Sequence, residues 1–231
     1  DVDPRKVFYV RMSRGCLGSC SYCAIKLATG NLKSKAPEEV LREVKDGLSQ
    51  GYALIRMLAE DFGCYGVDIG TDIARLLNDV FSLGKGKDFR LIVRNFNAQW
   101  LIRYYDQLEK VICAHHAKFM YMHIPVQSGS DKILALMRRP YVIGQVKRCL
   151  ADIKKRVPEL KIMTTIMVGF PGEEDEDFQQ TVAFLKEISF DFVEIITYSD
   201  RPHTFAATLP DKVSPAVMLK RHVALLRLLR K

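Results

Sequence analysis

The sequence contains no apolar run approaching the ~20 residues that a membrane-spanning helix requires. It does not open on the charged-then-apolar pattern of a secretory leader. Its six cysteines form no small-domain disulfide framework, which suits a reducing compartment, and the expectation is a cytoplasmic protein. Internal repeats and low-complexity segments are missing as well. So are an arginine-rich arm and any short RNA-recognition signature.

What is present is ample apolar material and an excess of positive charge. The chain has 231 residues, 48% of them hydrophobic, enough for one sizeable core. A single domain spanning 1–231 is expected, since α/β barrels commonly run to this length. A net charge of +8 with a pI near 9.2 suggests a polyanionic partner such as RNA, although basic surfaces also serve solubility. The first residue is Asp1 rather than Met, and residues 225–231 still read as helix. Both features lead us to expect the middle of a longer polypeptide.

Short β-rich runs alternate with amphipathic stretches along the whole length, the mark of a parallel α/β sheet. The expected strands are 7–12, Leu54–Leu58, 89–93, 119–124, 161–168 and 192–196. Helices are expected from Pro37 onward and at 73–81, 99–108, 143–157, 176–188 and Pro215–Leu229. The first of these carries Pro at its start, acids in its first turn, and Val40, Leu41, Val44 and Leu48 on one side. Six βα units fall short of the eight that close a barrel, so the expected fold is an open, partial (β/α)6 TIM-like barrel. Functional groups in such barrels gather at the C-terminal ends of the strands. The segments at Cys16–Cys23, Glu60–Asp61, Asn97, Gln127–Ser128 and Gly169–Gly172 all fall on that one rim.

Cys16, Cys20 and Cys23 form a CxxxCxxC directly after the first expected strand. Three thiolates within eight residues can converge on one metal centre. Iron–sulfur clusters usually take four cysteines, so a local set of three would leave one iron open to an exogenous ligand. A structural zinc site and a redox dithiol are the plainer readings. Zinc sites are normally closed by four ligands with paired spacings, and no second pair follows here. A dithiol needs only CxxC, which leaves Cys16 unexplained.

With an aromatic, Tyr22, before the third cysteine, the motif resembles the signature of radical S-adenosylmethionine (SAM) enzymes. Further segments resemble the methylthiotransferase family within that group. They are Gly15-Cys-Leu-Gly-Ser-Cys-Ser-Tyr-Cys, Leu32-Lys-Ser, Met122-His-Ile-Pro-Val-Gln-Ser-Gly-Ser-Asp, Met137-Arg-Arg-Pro-Tyr, Met167-Val-Gly-Phe-Pro-Gly-Glu and Tyr198-Ser-Asp-Arg-Pro. They occur in family order and cover nearly the whole chain. The Gly-Cys-Leu-Gly form of the loop, with Lys26 and Leu32-Lys33-Ser34 after it, resembles the archaeal and eukaryotic branch acting on threonylcarbamoyl-adenosine. The chain departs from the family pattern at Thr29, at Val93-Arg94-Asn95 and at His203, where Gly usually precedes Thr.

The resemblance implies a [4Fe–4S] cluster on Cys16, Cys20 and Cys23, with SAM chelating the open iron. One electron then cleaves SAM to a 5′-deoxyadenosyl radical. Implied cofactor contacts are Tyr22, Val168 and Gly169 at the adenine, and Glu60 and Asp61 at the ammonium. Gln127 and Ser128 are implied at the ribose or carboxylate, Arg139 at the carboxylate through a forked pair, and Asn97 on the same rim. Ser130 is read as a helix cap. The implied reaction is methylthiolation of a modified adenosine in tRNA, with a reductant such as flavodoxin or ferredoxin. The family adds a preceding domain with an auxiliary cluster and a following RNA-binding β-barrel, which are expected outside this chain. Competing readings are modification of a ribosomal-protein aspartate, another radical reaction on a small molecule, and a non-catalytic metal-stabilised RNA-binding module. Cys64, Cys113 and Cys149 lack ligand spacing and are read as structural, as is the doublet His115-His116. The basic tail residues Lys220, Arg221, Arg227 and Arg230 are read as a solvated helix face.

Overall fold

The computed structural model describes residues 6–230; Asp1 and Lys231 lie outside the described residues. Six parallel strands form one sheet in the order β1 (Val7–Arg11), β4 (Leu54–Leu58), β5 (Arg90–Val93), β6 (Phe119–His123), β7 (Ile162–Val168), β8 (Phe192–Thr197). The remaining two strands, β2 (Ser13–Arg14) and β3 (Lys33–Ser34), make a small antiparallel ribbon at the base of the cysteine loop. Spatial order follows chain order, so each crossover returns beside the strand it left. The first and last strands are not paired with each other among the described residues. The open barrel expected from six βα units is the observed architecture, with strand bounds within one residue of those expected at each end.

The helices are α1 (Ile25–Thr29), α2 (Pro37–Ser49), α3 (Ile73–Leu83), α4 (Ala98–Arg103), α5 (Tyr105–His115), α6 (Asp131–Leu136), α7 (Ile143–Arg156), α8 (Asp175–Glu187) and α9 (Pro215–Leu229). Their starts are chemically marked. Pro37 opens α2 ahead of Glu38 and Glu39, acids that favour a helix N-terminus. Asp72 accepts from the Arg75 N–H at 2.9 Å, and Ser214 caps α9 ahead of Pro215. The single helix expected over 99–108 is in fact two. Tyr104 leaves helical geometry at φ −109°, ψ 24°, its ring stacked on Trp100. No described helix is long and apolar enough to cross a membrane.

The sheet has two unlike faces. Ile55, Met57, Leu91, Val93, Ile162 and Ile166 are fully or almost fully buried and belong to the main core with the helices. The concave face is polar. His123 Nε2 pairs with Thr165 Oγ1 at 2.8 Å, and Thr165 donates onward to Glu194 at 2.8 Å. Burial, helped by the Arg94 charge, lowers the His123 pKa to about 4.

Helix α9 is joined to the C-terminal rim by a buried ion pair, which corrects the reading of Arg221 as part of a solvated face. Arg221 is 5% exposed and reaches Glu173 Oε2 at 2.8 Å, the Glu173 carbonyl at 3.1 Å and Asp175 at 2.8 Å. Glu173 Oε2 also accepts from the Gly169 N–H at 2.6 Å. The sequence could not show this, because a single basic position in an amphipathic helix has no periodic signal of its own. Arg221→Ala leaves the Glu173 carboxylate buried without its cation, which costs about 3–5 kcal/mol. Urea melts should show that loss, and adding Glu173→Gln should recover much of it; an Arg221→Ala protein as stable as the parent contradicts the pairing.

Candidate functional site

A cavity of about 410 Å³ opens at the C-terminal ends of the strands, walled by the cysteine loop, the segments after β4, β5 and β6, the end of α6 and residues 203–205. Cys16, Cys20 and Cys23 all line it, as do Tyr22, Glu60, Asp61, Asn97, Gln127 and Arg139. Nine of the twelve site residues expected from the sequence therefore meet at one place.

The cysteine loop is held by short-range geometry and one buried serine. Gly15 has φ +75°, and a Cβ there would stand 2.1 Å from the Asn31 carbonyl oxygen, so the close approach of the two loop ends requires glycine. Ser21 is 3% exposed. Its N–H donates to Met137 O at 3.0 Å, and its carbonyl accepts from the Ala206 N–H at 2.7 Å. Its hydroxyl donates to Leu136 O at 2.7 Å. Two chain segments distant in sequence, the end of α6 and the turn at Ala206, are thereby tied to the loop that carries the thiols.

N–H donors surround the sulfurs. The Gly18 N–H reaches Cys16 Sγ at 3.1 Å, and the Arg139 Nη1 reaches Cys20 Sγ at 3.5 Å. Arg139 is itself buried and anchored, donating Nε to the Tyr141 hydroxyl at 2.9 Å and Nη2 to the Pro125 carbonyl. Burial, followed by the Asp61 charge, pushes the Cys16 thiol up to about 11. Burial also raises Cys23, against N–H contacts from Ile25 and Lys26. Among the described residues no three His, Cys, Asp or Glu side chains close around a single metal ion.

The acids divide their work. Asp61 is occupied: it accepts from Trp100 Nε1 at 2.8 Å, from Gly63 N at 3.1 Å and from Asn97 N at 3.4 Å. Burial raises its pKa against these donors. Glu60 pairs with Arg11 at 3.6 Å through one oxygen, while its Oε2 is buried without a partner, as is Gln127 Oε1. Two orphaned acceptors lining one cavity fit a ligand that donates hydrogen bonds, because a buried unpaired acceptor costs about 1–3 kcal/mol. Tyr22 lines the cavity and meets Phe170 edge-on at 6.3 Å. Asn97 caps α4, accepting from Gln99 N at 3.3 Å.

Three expected contacts lie elsewhere. Ser128 is buried toward α8, with its hydroxyl 3.4 Å from Thr181 Oγ1 and accepting from Ser130 N at 3.1 Å. Val168 is in the main core. Gly169 faces α9, where a Cβ would come within 2.3 Å of Met218 Cγ. Sequence order puts all three on the rim but cannot say which way a side chain turns there. Ser130 does cap α6, accepting from Ile133 N at 3.4 Å. The structural reading of His116 also holds, since it bonds Glu159 and the Cys113 carbonyl.

Residues passed over as site candidates also line the cavity, among them Asn95, Arg138, His203 and Phe205. Five described non-glycine residues have positive φ, and four of them, Asn95, Gln127, Arg138 and His203, stand on this wall. Such backbone costs of order 1 kcal/mol each and clusters at functional sites. Asn95 and His203 were departures from the family pattern, which was the one signal available in the sequence.

The family model for the radical SAM superfamily matches residues 10–185. The chain belongs to the radical SAM superfamily. Across 230 residues it is 38% identical to a probable threonylcarbamoyladenosine tRNA methylthiotransferase of Pyrococcus abyssi, covering 99% of this chain and 53% of that protein. Across 237 residues it is 35% identical to the ribosomal protein uS12 methylthiotransferase RimO of Thermotoga petrophila, covering 99% of this chain and 52% of that protein. The chain thus spans about half the length of the curated relatives it matches. Among solved structures it is similar to the radical SAM methyltransferase TsrM of Kitasatospora setae, which holds cobalamin and a [4Fe–4S] cluster. The TM-score is 0.72 at 15% identity, covering 87% of this chain and 38% of that one. It is also similar to coproporphyrinogen III oxidase HemN of Escherichia coli, with TM-score 0.65 at 14% identity, covering 97% and 52%. At these identities the structural likeness speaks for the fold.

Radical SAM proteins use a [4Fe–4S] cluster and SAM, and this donor set fits both. Three free thiols share one wall with N–H donors aimed at two of the sulfurs. Two orphaned acceptors stand where an ammonium or hydroxyl could donate. The raised thiol pKa values oppose no metal, because a coordinating thiol gives up its proton outright. Ser21→Ala removes the hydroxyl tie to Leu136, which a buried neutral hydrogen bond makes worth about 1–2 kcal/mol. Its effect should be local: iodoacetamide should alkylate the three motif thiols of the metal-free variant faster than those of the parent. Equal rates contradict the role given to Ser21.

Proposed function

We propose that this chain is the catalytic core of a methylthiotransferase, with Cys16, Cys20 and Cys23 holding a [4Fe–4S] cluster beside bound SAM. The carrying observation is the convergence of three thiols, two orphaned acceptors and a buried guanidinium on one cavity at the strand C-termini. The bound cluster and SAM supply a 5′-deoxyadenosyl radical. The chain's own residues bind, orient and exclude water. Glu60 accepts from the SAM ammonium through its unpartnered oxygen, and Gln127 accepts from a ligand hydroxyl. Arg139 hydrogen-bonds the Cys20 sulfur and keeps unused N–H groups for a carboxylate. Tyr22 packs at the adenine. Asp61 acts through others, fixing Trp100 and the backbone on which Asn97 and Glu60 sit.

The substrate is a modified adenosine in tRNA. The match to the Pyrococcus abyssi protein and the net charge of +8 support this over the ribosomal-protein reaction of the RimO relative. The second reading is kept because the Thermotoga match spans the same length. The remaining half of the relatives' length leaves room for the auxiliary-cluster domain before this core and the RNA-binding β-barrel after it. A reductant such as flavodoxin or ferredoxin supplies the electron, and the cytoplasm is the setting.

Anaerobic reconstitution tests the ligand assignment. About four irons per chain should bind, and substituting Cys16, Cys20 and Cys23 together by Ala should abolish binding. Cys64 is a neighbour of Cys16, whose charge adds to burial and Asp61 in raising the Cys64 thiol, and its Sγ already bonds the Asp61 carbonyl at 3.2 Å. Replacing Cys64, Cys113 and Cys149 together by Ala should therefore leave iron content unchanged. Loss of iron in that second variant overturns the assignment.

A further inference from the structure

The same cavity is lined by a set of side chains given no role above in holding cluster or SAM. Phe205 is 46% exposed although it is a large apolar group. The Arg138 guanidinium carbon lies 4.0 Å above its ring centroid, and Arg138 and His203 are themselves exposed. All three line the cavity. Arg138 and His203 hold φ at +56° and +64°. Histidine visits left-handed backbone more readily than most residues and arginine does not, so the strain falls on Arg138, while both positions have a backbone that glycine accepts freely.

The platform is rigidly mounted. The Ala206 N–H, next to Phe205, donates to Ser21 O at 2.7 Å, and Ala206 is fully buried in the small apolar cluster beneath. Lys212 Nζ closes the same turn, bonding the Ala206 carbonyl at 2.9 Å and Asp200 at 2.6 Å. Thr204 Oγ1 bonds the Arg201 carbonyl at 2.8 Å. An exposed aromatic on a fixed turn, with a cation over its ring, loses little entropy on binding. Aromatic faces and guanidinium planes are the surfaces on which unstacked nucleobases are held.

We propose that Phe205, Arg138 and His203 form a stacking platform for a nucleobase of the RNA substrate, placing it at the cavity mouth as a specificity determinant. The inference rests on the nucleic-acid reading of the function and goes beyond it by naming what grips the base. RNA is favoured over an aromatic peptide side chain by the chain's net charge of +8 and by Lys26 and Arg138 on the same wall. The left-handed backbone at His203 accepts glycine, which gives a test that a structural role cannot imitate. His203→Gly removes the side chain without straining the backbone, so thermal stability should hold while RNA binding falls.

The probe is a hexameric single-stranded RNA of five uridines with one internal adenosine, compared with the same oligomer abasic at that position. Binding is read by fluorescence anisotropy with the anaerobically reconstituted chain. The adenosine oligomer should bind more tightly than the abasic one. Phe205→Ala should weaken it by about fivefold or more and bring the two oligomers level, while Phe205→Trp retains the preference. Phe192→Ala, at an exposed ring on the far end of β8, serves as a control and should change nothing. SAM affinity should match the parent's in all four variants. If the parent shows no preference between the oligomers, the nucleic-acid reading itself fails. If the parent prefers adenosine but Phe205→Ala and His203→Gly do too, the platform is refuted. Loss of SAM binding together with RNA binding would make these residues part of the cofactor site, and tighter binding of a tryptophan-containing peptide than of RNA would overturn the nucleobase.

Discussion

One buried serine holds the functional end of this protein together. Ser21 sits inside the cysteine motif and spends all three of its polar groups on segments far away in sequence: the end of α6 through Leu136 and Met137, and the turn at Ala206. The parallel sheet sets where loops emerge, but it cannot set their mutual position to a fraction of an ångström. Loops that leave different strands need cross-ties, because each alone exposes unpaired backbone and has many conformations of similar energy. Here one residue beside the thiols ties the end of α6 and the turn at Ala206 together. The cavity is preorganised as a consequence, with donors already directed at two of the three sulfurs.

A second constraint works from below. The concave face of the sheet is filled with polar groups, the His123–Thr165–Glu194 relay among them, where a closed eight-stranded barrel would pack apolar layers. An open barrel has a side that meets water or a partner, and its interior cannot be sealed by side chains of its own. Helix α9 compensates at the last strand, contacting β8 and β7, and its Arg221 clamps the loop after β7 through Glu173. The glycine at 169 belongs to this clamp. Its missing side chain makes room for Met218 of α9, so a segment that reads as cofactor-facing turns out to be a packing joint.

How much of this was legible in the sequence follows from what sequence patterns encode. Strand and helix positions were readable because alternation and caps are local. The rim could be assembled because βα order dictates which loops lie at the same end. That the three motif cysteines share one cavity was readable because they lie at short spacing in a loop at the rim. Side-chain direction beyond the strand ends was not readable: Ser128 and Gln127 are neighbours, yet Gln127 faces the cavity and Ser128 faces α8. The break at Tyr104 and the burial of Arg221 were hidden too, since both depend on partners from distant segments. The strained positions at Asn95 and His203 were visible only as departures from a pattern, with nothing to show that their backbone is left-handed.

We propose that a cluster held by the three-cysteine loop would leave one iron open to SAM in this cavity. Electron paramagnetic resonance of the reduced, reconstituted chain, recorded before and after addition of SAM, addresses it directly. A cluster with an open iron must change its spectrum when SAM's amino and carboxylate groups bind that iron. The account predicts such a change in the parent protein. A spectrum indifferent to saturating SAM, in a protein carrying its full complement of iron, would contradict it.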